Sequence, residues 1–396
     1  MNKPLEGVKV VDFTLLAAGP TCGRLLAEWG ADVLKVEPLG GECARAGAPG
    51  RVFSPIFELY NAGKRGITVN AKTPEGIEII YRLLESADVF LTSYRTAGLR
   101  RLKLDYETLH EKFPSLIWAQ INGYGELGPE ANKAGYDKDA YWARSGIMQD
   151  FIEAGESVMN TPFGFGDAAT SCSLAAGICA ALFRRTRTGE GEKVVSSLYS
   201  QAIHCLGSSL VMVQDGEEYP TSRKRTQSPL INNFRCKDGK WFILTVLEYE
   251  RFFDKLMTVI GRQDLIGSEF STFSGMYPRF DEFMEIMDEG FGNLTFAEAT
   301  QRLSAADIAH SPIRHVKDIL TDPQAEANKY FVDYTCPDGR VYRHAAGPVK
   351  FGTPEKIVMK PAPGLGEDSV AVLRSLGYDE VTIRNLLEQR IISAPE

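Results

Sequence analysis

The chain has 396 residues, of which 44% are hydrophobic and 24% charged, proportions that exclude a disordered, collagen-like or disulfide-dense protein. Lys and Arg number 44 against 52 Asp and Glu, so the formal charge is −8. That balance excludes general nucleic-acid binding, because neutralising phosphates needs a basic surface. The seven cysteines, at 22, 43, 172, 179, 205, 236 and 336, form no C-x-x-C pair and read as reduced thiols of a cytoplasmic protein. No apolar run reaches the roughly 18 residues of a membrane span. The opening MNKPLEGVKVVDF enters a strand at once, without the apolar stretch of a signal peptide.

Val8–Phe13 is short, apolar and rich in β-branched residues, which predicts a buried strand. Gly19-Pro20 breaks it. Thr21–Trp29 has helical spacing, and Gly30 stands where a C-terminal cap glycine belongs. Ala31–Glu37 is the second predicted strand, followed by the loop Gly40-Gly41. Thr73-Pro74-Glu75 reads as a helix start with Thr73 as its cap, and Ile77, Ile80, Leu83 and Leu84 as its buried stripe. Ala87–Ser93 and Ser115–Gly123 are further strands. This alternation predicts an α/β fold with a parallel sheet and right-handed crossovers. Ala168–Arg185 is the clearest helix, crowded with small residues that let another backbone or a ligand come close. Thr188–Gly191 turns the chain into a strand at Lys193–Ser197. The middle changes character: Asn233–Leu247 reads as a hairpin turning at Asp238-Gly239, followed by helices Tyr249–Val259, Arg279–Asp288 and Thr295–Ala306. Beyond these come a turn at Pro337-Asp338-Gly339 and a helix pair, Asp368–Leu376 and Asp379–Glu388.

The first strand is followed by LLAAGPTCG, which lacks the G-x-G-x-x-G dinucleotide fingerprint, and the chain holds no Walker A motif and no G-x-S-x-G elbow. None of the five histidines (110, 204, 310, 315, 344) pairs with another at metal-ligand spacing. Most chemistry lies in Pro162–Ala168, where Asp167 follows two closely spaced glycines and opens the small-residue helix. The plain reading is an N-cap, worth about 0.5–2 kcal/mol. The functional reading is a carboxylate held ionised by the helix dipole and free N–H groups, reached across the glycines by a bulky electrophile. Such a carboxylate can attack an activated acyl group. Gln120–Pro129, with Lys133–Asp137 after it, puts glycines at the carboxyl end of a parallel strand, where ligands bind. Ser93-Tyr94-Arg95, with Arg100 and Arg101, follows another strand end and suits phosphate, or is simply a solvated basic turn.

Taken in order, these segments resemble the class III coenzyme A transferases. The likeness is carried by LEGVKVVDFT…AAGP…LLAEWGADVLKVE, by Asn61–Gly76 (NAGKRGITVNAKTPEG), by Ile121–Pro129 (INGYGELGP) and by Thr188–Leu198 (TGEGEKVVSSL). It covers most of residues 5–200 and continues weakly to the C-terminus. The resemblance implies that Asp167, in its Gly-Asp pair, is the nucleophile of a covalent mechanism running through mixed anhydrides and an aspartyl-CoA thioester. It implies a coenzyme A site at Leu16, Ala17 and Ala18; at Asn70, Ala71, Lys72 and Thr73; at Ser93, Tyr94 and Arg95; at Arg101, the first candidate for a phosphate; and at Lys133, Tyr136 and Asp137. It implies a Rossmann-like large domain built from both chain ends: residues 1–200, a linker over 201–224, a smaller α+β domain over 225–315, then a linker and a returning part over 316–396. Two chains are expected to interlock as a cytoplasmic homodimer. Coenzyme A is then substrate rather than a resident cofactor, and the partners are an acyl-CoA and a small carboxylic acid, with no nucleic acid or membrane.

Formyl-CoA members of the family carry Gln where this chain has Ala17, Arg near Pro38 and Leu39, and a polyglycine loop that the segment before Asn232 lacks, so oxalate or formate is not the expected substrate. Leu91–Pro129 is most similar to members that move coenzyme A from an acyl- or 2-enoyl-CoA to 2-hydroxy acids such as phenyllactate or 2-hydroxyisocaproate. Two alternatives stay open. One is an α-methylacyl-CoA racemase-type isomerase, which would want His where Tyr136 follows Gly135, because tyrosine is a poor base beside a thioester. The other is a non-catalytic coenzyme A-binding protein.

Overall fold

Six short apolar segments form one parallel sheet: β1 (Lys9–Phe13), β2 (Asp32–Glu37), β3 (Arg65–Thr68), β4 (Val89–Thr92), β5 (Ile117–Asn122) and β6 (Lys193–Ser197). The computed structural model describes residues 3–46, 54–335, 339–352 and 359–395. The sheet order is β3-β2-β1-β4-β5-β6 and every pair is parallel. This is the doubly wound order, in which the chain reverses direction across the sheet between β1 and β4. The inner strands β1, β2, β4 and β5 are buried on both faces, so they read as largely apolar runs, whereas the edge strand β6 is half-buried. Val11, Phe13, Leu34, Val36, Ile67 and Phe90 face one core. Val10, Val33, Val89, Leu91, Ile117 and Ile121 face the other.

The sheet belongs to a unit made of Met1–Ile147, Asn160–Val211 and Pro323–Glu396. Its helices include α1 (Ala18–Glu28), α2 (Pro55–Asn61), α3 (Pro74–Leu84), α4 (Thr96–Leu102), α5 (Tyr106–Lys112) and α6 (Phe165–Thr188). Thr73 caps α3, its Oγ1 accepting from the Gly76 N–H at 3.1 Å, as the sequence predicts. Gly30, at φ +109°, follows the end of α1 as expected. Two expectations fail nearby. Gly19-Pro20 does not precede α1 but lies in its first turn, where a proline loses no helical hydrogen bond. The strand β3, written only R-G-I-T, was not anticipated; it is too short and too interrupted by glycine to stand out.

The last segment of the chain returns to this sheet. The Gly66 N–H donates to Asp368 Oδ2 at 2.7 Å, the Asn70 N–H to the Ile391 carbonyl at 2.8 Å, and the Ser393 N–H to Thr68 Oγ1 at 2.8 Å. Val372, Leu373, Ile383 and Leu386, on helices Ser369–Ser375 and Glu380–Glu388, complete one core. A two-stranded ribbon, Phe331–Thr335 with Val341–Ala345, is antiparallel. Of the predicted turn between its strands only Gly339 is described; Pro337, Asp338 and Cys336 lie outside the described residues. Helix α6 is long and apolar enough to cross a membrane, but Leu174, Ala175, Ile178, Ala181 and Leu182 bury it against the sheet as a core helix.

The second unit is Met148–Met159 with Met212–Asp322. Strands Ile231–Arg235, Trp241–Thr245 and His310–Pro312 form an antiparallel sheet, with the predicted turn at Asp238-Gly239 joining the first two. Helices Tyr249–Ile260, Phe280–Gly292 and Phe296–Ala305 pack over a core that includes Phe234, Phe242, Phe253, Phe283 and Phe291.

The charged groups inside the first unit separate into two classes. Asp12 and Lys64 pair at 2.7 Å with both side chains fully buried, whereas Asp32 and Arg65 pair at 2.7 Å at the surface. Breaking a buried pair strands the partner's charge, so Asp12→Asn is expected to cost about 3–5 kcal/mol. Asp32→Asn is expected to cost no more than about 1 kcal/mol. Urea unfolding of the two variants and the parent checks the contrast.

Candidate active site

The loops after β1 and β4 meet where the sheet reverses, and the Leu15 N–H donates to Ser93 Oγ at 2.9 Å across that point. Two cavities open at this carboxyl edge. The smaller, about 380 Å³, is lined by Leu15–Ala18, Cys43, Ile121, Asn122, Gly135–Asp137, Phe163, Asp167 and Leu198. The larger, about 750 Å³, takes in Phe13, Pro38, Leu39, Val69–Lys72, Tyr94, Gly98, Arg101 and Leu102.

Asp167 is buried in the first turn of α6, but it is not the cap. Gly164, at φ +84°, caps the helix without a side chain, and Asp167 lies three residues further on. The free N–H groups of this helix end go to a different carboxylate. Asp137 Oδ2 accepts from the Gly164 N–H at 2.9 Å, and Asp137 Oδ1 from the Asp167 N–H at 3.1 Å. Asp137 opens a wide helical turn of π type, Asp137–Ala143. Gly166 lets that turn close on α6: a Cβ there would stand 2.3 Å from Tyr141 Cγ and 2.6 Å from Asp137 Oδ1. Gly123 and Gly135 work the same way, since a Cβ on either would come within 2.7 Å of the other's Cα. Glycines thus bring Asp137 to Asp167; they do not clear a path for an incoming group, as the sequence suggested.

The electrostatics also reverse an expectation. Asp167 is not held ionised by the helix. Burial, and then the neighbouring Asp137 carboxylate, push its pKa up to about 7. Among the described residues no hydrogen bond reaches the Asp167 carboxylate. The same pair of acids, after burial, lifts the Tyr60 phenol to about 12. Tyr60, on α2, was not singled out from the sequence, yet a Cβ on Gly164 would lie 2.9 Å from its hydroxyl. Nothing local marks it, because it reaches the site only through the fold. Cys43 and Leu198 line the smaller cavity and were not named as site residues; Asn122 and Phe163 line it too, within the segments Gln120–Pro129 and Pro162–Ala168 that the sequence marks.

The remaining predicted site residues divide by position. Leu16, Ala17, Ala18, Tyr136 and Asp137 share the smaller cavity with Asp167. Asn70, Ala71, Lys72, Tyr94 and Arg101 line the larger one. Thr73 is occupied as the cap of α3, and Ser93 as the acceptor for Leu15. Arg95 donates to the Asn132 carbonyl at 3.2 Å, and Lys133 pairs with Glu130 at 2.8 Å; neither lines either of these two cavities. Lys72 and Arg101 make no ion pair among the described residues, so the larger cavity carries two uncompensated cations.

Comparison with known proteins places this arrangement. Residues 5–369 match the model of CoA-transferase family III. The chain is 37% identical over 397 residues to (R)-2-hydroxy-4-methylpentanoate CoA-transferase of Clostridioides difficile, covering 98% of this chain and 99% of that one. It is 35% identical to cinnamoyl-CoA:phenyllactate CoA-transferase of Clostridium sporogenes, covering 98% and 97%. A CAIB/BAIF family protein from Brucella suis superposes with a TM-score of 0.80 at 29% identity, over 95% of this chain and 100% of that one. A buried acid at the carboxyl edge of a doubly wound sheet, and this likeness along nearly the whole chain, lead to one assignment: the chain is a member of CoA-transferase family III, an enzyme that transfers coenzyme A from an acyl-CoA to a carboxylic acid.

Proposed function

We propose that Asp167 is the nucleophile of this transferase and that the acceptor is a 2-hydroxy carboxylic acid with an apolar side chain. The observation that carries the reading is the burial of Asp167 in a largely apolar cavity at the carboxyl edge of the sheet. One Asp167 oxygen attacks the thioester carbonyl of the donor. The C–S bond breaks, coenzyme A leaves as thiolate, and an acyl-aspartyl anhydride remains. The thiolate then attacks the aspartyl carbonyl, releasing the donor acid and forming an aspartyl-CoA thioester. The acceptor carboxylate attacks that thioester and expels the thiolate again, giving a second anhydride. Attack of the thiolate on the acceptor's acyl carbon yields the new acyl-CoA and frees Asp167. Every step exchanges one activated acyl bond for another, so no ATP is consumed.

The raised pKa fits this chemistry. The surroundings that disfavour the charge also exclude water, which would hydrolyse both kinds of intermediate. A carboxylate stripped of water is the more reactive towards a carbonyl. The larger cavity suits the coenzyme, with Lys72 and Arg101 facing its phosphates and Asn70, Ala71 and Tyr94 along its wall. Leu16, Ala17 and Ala18, in the wall of the smaller cavity, then lie along the thioester arm. Thr73, Ser93, Arg95 and Lys133 support these loops through the contacts described above. The carbon wall of Leu15, Leu16, Ile121, Phe163 and Leu198 favours a branched or aromatic acid. The acids named for the Clostridioides and Clostridium relatives are of that kind. Phe183, Ile203 and Val211 are exposed on the first unit, at 64%, 41% and 62%, and a second copy of the chain would cover them.

Three kinds of measurement, the first being steady-state kinetics, test this reading. Asp167→Ala loses transfer by on the order of a thousandfold or more in steady-state assays, the scale of removing a nucleophile. Because the active form is deprotonated, kcat/KM rises with pH and levels off above about 7. Asp137→Asn removes the repelling charge and moves that limb to lower pH. Second, mass spectrometry in heavy water, with several acyl-CoAs and a panel of acids including 2-hydroxyisocaproate, phenyllactate, succinate and carnitine, shows a 2-hydroxyacyl-CoA without deuterium at its α-carbon. Deuterium in an otherwise unchanged acyl-CoA would mean proton abstraction and would sink the transfer mechanism. Third, light scattering gives twice the mass of one chain.

A further inference from the structure

The side-chain amide of Asn122 is held in one orientation from both ends. Gln120 is wholly buried and its Nε2 donates to the Tyr94 carbonyl at 2.8 Å. A carbonyl only accepts, so the Gln120 Oε1 is left facing Asn122, whose Nδ2 donates to it at 3.3 Å. On the other side the Gly125 N–H, which only donates, meets Asn122 Oδ1 at 2.7 Å. The two constraints agree, so the amide orientation follows from its neighbours. One Nδ2 hydrogen remains without an acceptor among the described residues, on a residue that lines the cavity of Asp167.

Little else in that wall can play the same part. Leu15, Leu16, Ala17, Ala18, Ile121, Phe163 and Leu198 offer carbon, and Asp137 spends its oxygens on the two N–H groups at the start of α6. Tyr136 is 56% exposed, and Cys43 is an exposed thiol, a weak donor. Asn122 is a neutral side-chain N–H set in place before the substrate arrives.

We propose that Asn122 is a specificity-determining residue that donates a hydrogen bond to the 2-hydroxyl of the acceptor acid; this rests on the 2-hydroxy acid reading given above. The hydroxyl oxygen sits on the carbon next to the reacting carboxyl, so holding it also aims the carboxylate at the aspartyl-CoA carbonyl. An acid lacking the hydroxyl leaves the amide unpaired in an apolar wall, and discrimination follows.

The test compares two acceptors, 2-hydroxy-4-methylpentanoate and 4-methylpentanoate, with one acyl-CoA donor. The parent enzyme is expected to favour the hydroxy acid in kcat/KM. Asn122→Ala reduces that preference about tenfold, the worth of one hydrogen bond, chiefly through KM for the hydroxy acid. Asn122→Ser keeps a donor on a shorter stem, retains most of the preference, and serves if the alanine variant does not fold. Equal losses on both acids, or none on either, overturn the role of Asn122. A parent enzyme that takes acids but shows no preference for the hydroxyl overturns the substrate reading itself, which the variants do not test.

Discussion

Lys35 and Lys64 are buried beneath the carboxyl end of β1, each held by a carboxylate and a backbone carbonyl, and Lys64 by a side-chain amide oxygen as well. Lys35 Nζ lies 3.0 Å from Glu42 Oε1 and donates to the Thr14 carbonyl at 3.2 Å. Lys64 Nζ donates to Asp12 Oδ2 at 2.7 Å, to the Pro20 carbonyl at 2.8 Å and to Asn61 Oδ1 at 2.8 Å. Burial pushes the Asp12 carboxyl up, but the two ammonium groups outweigh it and hold it below the usual range. Taking such charges out of water costs several kcal/mol each, and only full pairing offsets it. Here the pairing is spent on the chain that carries the site. Thr14, Leu16 and Pro20 are each fixed by a member of the network, Leu16 through its N–H to Glu42 Oε2 at 2.6 Å. Leu16 has φ +68°, a conformation unusual for any residue but glycine. The strained turn between β1 and α1, which forms one wall of the Asp167 cavity, is therefore held by buried charge.

That wall faces two acids with separate tasks. Asp137 receives the N–H groups at the start of α6, and Asp167 receives none. A helix end that might have lowered the pKa of Asp167 instead anchors a second negative charge beside it. The favourable electrostatics of the helix are used to keep Asp137 where it raises Asp167. The cost of charging Asp167 is thereby built into the resting site.

Much of this was legible in the sequence, and the failures have physical causes. The strands β1, β2, β4 and β5 declare themselves as largely apolar runs because the inner strands of a parallel sheet are covered on both faces. The sheet order is not written in any segment, since it depends on which edges pair, and β3 escaped notice for lack of side chains to mark it. Gly166-Asp167 stands out in the sequence as an acid after closely spaced glycines near the head of a helix, and the structure puts that acid in the wall of the smaller cavity. Its ionisation was misread because the burial that chiefly raises its pKa comes from the fold, and the second acid, Asp137, lies 30 residues away and arrives only through a glycine contact. Tyr60 was invisible for the same reason, and Asn122 was legible only as one member of Gln120–Pro129; its surroundings in the fold single it out.

The return of the final segment to β3 has a consequence for the making of the protein. Thr68 finds its partner in Ser393, 325 residues later. At roughly 5–20 residues per second, the ribosome takes about 16–65 s to supply it. For that time the edge formed by β3, and the Asn70–Thr73 loop beside it, lack the bonds that Asp368, Ile391 and Ser393 will provide. The nascent first unit is a sheet with an unfinished margin, open to pairing with other chains. The wall of the larger cavity acquires its final support only once residues 368–393 have been made.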